Sequence, residues 1–262
     1  MAGLMVGDNR GGRRCTLQEV CAVPLPEATR TYNPISNGAL VQMLQDSMRG
    51  VYGVEEDGLE LSLALSGKDQ QMFGSLTIND DGGHHGTSDA RFNSSMTVVF
   101  RNSYNKSLSL ALAGGAHSWI CSNLQISGDI IELRKHTMNV WDDIRDLITR
   151  VVMGAHGDFQ RSMGVAAVLS DYRLSYDDCY RLVGLAMGHG VLRTQQASVV
   201  LKELAEPSHE EHRPMNAWSL YNHFTEGMKR SSAGEAMTRH QKVTQFFGNQ
   251  FSSQLGRAAL TN

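Results

Sequence analysis

No stretch of this chain of 262 residues approaches the run of about 18 apolar residues that a membrane-crossing helix requires. The opening residues, MAGLMVGDNRGGRR, also lack the apolar segment that directs secretion, so no membrane association and a cytoplasmic location are expected. Cysteine is scarce: Cys15, Cys21, Cys121 and Cys179 are scattered with no C-x-x-C pair, which argues against a zinc knuckle and a secreted disulfide framework. An overall basic field is missing too. The net charge is −3, so any site for a polyanion has to be a local patch. Catalytic motifs are likewise wanting. There is no G-x-x-x-x-G-K-S/T run, GLAMGHG lacks the preceding strand of a dinucleotide turn, and SHEEHRP has Arg213 where a zincin helix needs its second histidine. No cofactor and no resident metal are expected, and a non-catalytic role is favoured over an enzymatic one.

What is present is a change of period. In ISNGALVQMLQDSMRG, Leu40, Val41, Leu44 and Met48 share a helical face, with Ser36 or Asn37 to cap the helix and Gly50 to end it. Then Leu59, Leu61, Leu63 and Leu65 alternate with Glu60, Ser62 and Ala64, the signature of a strand, and QMFGSLTI reads as its hairpin partner. Met96, Val98 and Phe100 alternate next, followed by Leu108, Leu110 and Leu112, with Gly114-Gly115 as a reversal before HSWICSN. A last strand is expected near Ser127–Lys135. From Asn139 the period becomes helical: NVWDDIRDLITRVVMG carries a stripe from Val140 to Val152, with Gly154 as its stop. Further helices are expected at Phe159–Leu169, Ser175–Met187, Thr194–Ala205, Asn216–Lys229 and Gly234–Phe247. The fold class is therefore α+β: an antiparallel meander with one wet face, covered by a long helix and followed by a helical C-terminal part. The expected divisions are a flexible N-terminal segment with a short strand at Thr16–Val23 (1–30), a sheet domain (31–155) and a helical region (156–262).

Several clusters could carry chemistry. Asp80, Asp81, His84, His85 and Asp89 are metal-ligating types, and with a metal they could serve an enzyme acting on phosphate esters. Their glycine-rich setting fixes no geometry and reads better as a hairpin loop. Cys121 lies near His117 and His136 in sequence, yet in an apolar strand it reads as core filling. More specific is VVFRNSYNKSLS, where Arg101, Asn102, Ser103, Tyr104, Lys106 and Ser107 set charges and short donors at a turn between strands, a pattern that suits a phosphate or carboxylate. Arg134, Lys135 and His136 form a second basic group. From Glu226 onward five basic residues, Lys229, Arg230, Arg239, Lys242 and Arg257, face only Glu226 and Glu235.

The segments TYNPISNGALV, VVFRNSYNKSLS, ICSNLQISGD, RKHT and NAWSLYNHFTE, in this order from Thr31 to Glu226, resemble the phage- and plasmid-borne family known as a domain of unknown function. The resemblance implies a mobile-element product working in the cytoplasm of a bacterial host. The order of helix, meander and long helix is also that of ring-forming single-strand annealing proteins. The expected function is binding of single-stranded nucleic acid in recombination or replication, as a homo-oligomer. Arg101, Lys106, Arg134 and Lys135 would neutralise phosphates, Asn102, Ser103 and His136 would add polar contacts, and Tyr104 would stack on a base. Four such phosphate contacts predict a log–log salt slope near about −3. The alternative is a protein that binds a host factor.

Overall fold

The computed structural model describes residues 12–30, 32–79, 86–87, 92–118, 124–126, 129–133 and 140–259. β1 (Gly12–Cys15) leads directly into a short helix, α1 (Leu17–Ala22), where sequence alone suggested a strand. A capping box explains the difference: the Thr16 side chain accepts from the Glu19 backbone N–H, and the Glu19 carboxylate accepts from the Thr16 N–H. Arg13 then pairs with both Glu19 and Asp69, fixing the strand to the turn at 67–70. α2 (Asn37–Tyr52) starts at Ser36, as its pattern predicts. It ends at Gly53 in the left-handed conformation (φ 64°), with Gly50 inside the helix.

The sheet consists of β1, β2 (Leu59–Ser66), β3 (Gln71–Ile78), β4 (Gly86–Thr87), β5 (Ser94–Ser103), β6 (Leu110–Ser118), β7 (Leu124–Ile126) and β8 (Ile131–Leu133). Its main path is β1-β2-β3-β5-β6-β7, antiparallel throughout. Alternation sends Met72, Leu76, Met96, Val98, Phe100, Leu110 and Leu112 to one face, where they meet α2 and the long helix α3 (Val140–Asp171). The other face is not wet. Val99, Ala111, Ala113 and Ile126 lie buried there with Met237, beside buried Ser75, Thr77 and Thr97. Thr77 and Thr97, a registered pair, bond each other through their hydroxyls at 3.0 Å.

Gly114 and Gly115 make no reversal; both sit inside β6. A Cβ on Gly114 would stand 3.2 Å from the Ala155 backbone of α3 and 2.4 Å from the Asp158 carboxylate. One on Gly115 would fall 2.2 Å from the Gln125 carbonyl oxygen of β7. These glycines let a helix and a neighbouring strand approach closely. Gly154 does not stop α3 either. The helix runs unbroken for 32 residues across the expected boundary at 155, because its buried stripe continues through Ala155, Phe159, Ala166 and Leu169.

A second core gathers the end of α3 with α4 (Tyr176–Gly188), α5 (Thr194–Ala205), α6 (Ala217–Met228) and α7 (Ala236–Gln250), before a last helix, α8 (Ser252–Ala259). Trp218 stacks on Tyr221 at 5.3 Å, and Phe224 and Phe247 meet edge to face at 5.1 Å. Met163 touches both cores. Among the described residues, no helix is long and apolar enough to cross a membrane.

Candidate nucleic-acid interface

The polar cassette at the end of β5 is turned largely inward. Arg101 is 6% exposed; its guanidinium donates to the Ser109 carbonyl (3.3 Å) and the Gly234 carbonyl (3.2 Å). Asn102 is fully buried and donates at 2.9 Å to both the Ile35 carbonyl and Asn37 Oδ1. The Tyr104 hydroxyl accepts the Asn37 backbone N–H at 2.9 Å, satisfying one of the first-turn donors of α2. Burial raises the pKa of this phenol, so it stays protonated. Ser103 Oγ donates to the Leu108 carbonyl and accepts the Leu108 N–H, closing the turn. Within it, Asn105 Oδ1 accepts from the backbone and hydroxyl of Ser107.

These contacts correct the expectation that Arg101, Asn102, Ser103 and Tyr104 face a ligand. Arg101, Asn102 and Tyr104 are spent on joining β5 to the start of α2 or to the 3-10 turn Ala233–Glu235, Ser103 on closing its own turn, and the Tyr104 ring, 5% exposed, offers no free face for a base. Of the charged pair only Lys106 reaches solvent. It occupies the left-handed region (φ 60°) and its Nζ lies 4.3 Å from the centre of the Tyr32 ring. Arg134, Lys135 and His136 lie outside the described residues, as do Asp80, Asp81, His84, His85, Asp89 and Cys121. His117 is buried, and desolvation pushes its pKa down to about 4, leaving a neutral ring.

Sequence reasoning missed a different concentration of cations, reached through Arg101. Its partner Gly234, in the 3-10 turn 233–235, also lies against the Leu108 side chain of the cassette turn. The same 3-10 turn borders a cavity of about 440 Å³ lined by Arg193, Thr194, Gln195, Gln196, Arg230, Ser232 and Glu235. The start of α5 opens into this cavity. Gln196 closes the first turn by accepting the Arg193 N–H. Glu235 supplies the anion: Arg193 grips its two oxygens at 2.6 and 3.1 Å, and Arg239 stands 3.9 Å away. The Arg193 guanidinium bonds hold the Glu235 carboxyl below its ordinary pKa. Arg230 is exposed at the same cavity. The signal in the sequence was the basic excess after Glu226; Arg193, more than thirty residues earlier, gave none.

Among the described residues, no three histidine, cysteine, aspartate or glutamate side chains are grouped to hold a metal ion. Compared with known proteins, the chain matches no family model, no curated protein and no solved structure.

Proposed function

We propose that this protein binds single-stranded nucleic acid without catalysis, as a mobile-element accessory of recombination or replication, through phosphates held at the start of α5. The observation that carries the reading is the Arg193–Glu235 clamp beside exposed Arg230. A guanidinium that grips a carboxylate in two-point fashion offers the same fork to a phosphate, and the first N–H groups of a 12-residue helix add partial positive charge. Lys242 is exposed on α7 one turn beyond Arg239.

Fluorescence anisotropy with a labelled single-stranded oligonucleotide tests the reading. Two contacts, from Arg193 and Arg230, predict a log–log salt slope of about −1.4, and Arg230→Ala should make it shallower by about 0.7. A slope near zero, or a wild-type slope in Arg230→Ala, contradicts it.

A further inference from the structure

The opposite end of α5 has the opposite character. Over 12 residues the helix spans about 18 Å, and its C-terminal carbonyls carry partial negative charge. There Leu204, Ala205 and Glu206 border a second cavity, about 330 Å³, with Tyr176, His212 and His223 among its walls. Both histidines are 3% exposed. Neither ring nitrogen of His212 makes a well-aligned hydrogen bond, the Glu211 backbone being the polar group beside it, and Nδ1 of His223 has no partner, although buried polar atoms are normally satisfied. Behind them lies Glu203, 9% exposed, accepting from the Ser208 N–H (3.0 Å) and hydroxyl (2.6 Å).

The surroundings select the ligand. Asp177 and Asp178 in the first turn of α4, and Glu203, Glu206, Glu210 and Glu211 around the end of α5, outnumber Lys202, Arg181 and Arg213. Arg213 is paired with Glu210 at 2.7 Å, and Arg181 stands 3.9 Å from Asp178. A phosphate is repelled here. Tyr176 and Tyr180, 52% and 54% exposed and one turn apart on α4, stand with rings 6.3 Å apart. Met187, 41% exposed, continues the same helix toward its end. Exposed tyrosines suit cationic and apolar groups alike.

We propose that this face docks a basic segment of a partner protein, which places an arginine or lysine side chain in the cavity against His212 and His223, whose rings meet edge to face at 6.4 Å, and lays apolar residues across Tyr176 and Tyr180. The inserted N–H groups donate to the one unprotonated nitrogen of a neutral ring, while the carboxylates and the helix end supply the charge. This site is separate from the phosphate strip, so either can fail without the other.

Histidine ring NMR of the whole chain, titrated with N-acetyl-Trp-Arg-amide and its uncharged citrulline analogue, tests the proposal. The arginine probe should shift the His212 and His223 signals saturably and bind at least tenfold tighter than the citrulline probe, with His117 in the sheet unmoved. Tyr180→Ser, on an exposed position, should weaken the arginine probe severalfold while Arg230→Ala leaves it unchanged. Equal affinity for the two probes, or shifts spread over all histidines, overturns the proposal. So does zinc chloride alone shifting the same two signals at one equivalent and blocking the probe, which would make the site a metal centre.

Discussion

At the scale of single residues, the cassette shows how a polar cluster can be structural. Asn102→Ala strands the Ile35 carbonyl and Asn37 Oδ1 inside the protein, which should cost about 2–3 kcal/mol in urea unfolding with no change in oligonucleotide affinity. Tyr104→Phe, which removes the acceptor for the Asn37 N–H and a bond with the Ser36 side chain, should cost about 1 kcal/mol. From sequence, Arg101 to Ser107 read as a run of donors and charges at a turn; what no local pattern could tell was that the partners were Ile35, Asn37 and Gly234, distant in the chain. Buried histidines give a second prediction. Burial, aided at His212 by His223 and His209, pushes His117, His212 and His223 down to about 4. Between that value and about 6.5 the unfolded chain binds more protons than the folded one, so stability rises with pH across this window and is lost as pH falls through it. Each histidine can contribute up to about 3 kcal/mol. Urea midpoints measured at pH 7 and pH 5 should therefore differ clearly, and His223→Phe should flatten the dependence.

At the scale of elements, glycines separate what the sequence disclosed from what it did not. The period-2 run at Leu59–Leu65, the hairpin QMFGSLTI and the helix at Thr194–Ala205 were legible because each is set by its own residues. Gly114, Gly115 and Gly154 were misread as punctuation because a glycine announces freedom without saying what uses it. Gly114 admits the backbone of α3 to the sheet, whereas nothing lies within 4 Å of a Cβ placed on Gly154. The two should respond in opposite directions to alanine. Gly114→Ala is expected to destabilise by about 1–3 kcal/mol through overpacking. Gly154→Ala should stabilise by about 0.5–1 kcal/mol by favouring the helix. Thermal or urea unfolding of the two variants checks both.

At the scale of the whole molecule, α3 is the common wall of two cores, with Val140 to Phe159 in the sheet's core and Ala166 and Leu169 in the helical one. Phe92, just before β5, adds an edge contact to Trp218 at 5.8 Å, and Arg101 adds its bond to Gly234. Two units sharing a continuous helix and these ties should unfold together. Single-tryptophan variants retaining Trp141 or Trp218 should give the same urea midpoint, and separated midpoints would contradict the coupling. The order of strands and helices foretold the α+β arrangement, but the joining of Arg193, Arg230 and Glu235 at one end of α5 belongs to tertiary structure.

The central claim is that the carboxylate of Glu235 occupies a place a nucleic-acid phosphate can take. Anisotropy titrations of Glu235→Gln and Arg230→Ala against the same single-stranded oligonucleotide, at one salt concentration, measure it most directly. Freeing Arg193 should tighten binding severalfold in Glu235→Gln, while Arg230→Ala should weaken it. Two variants that both match the wild type, or a Glu235→Gln variant that binds more weakly while remaining folded, would contradict the account.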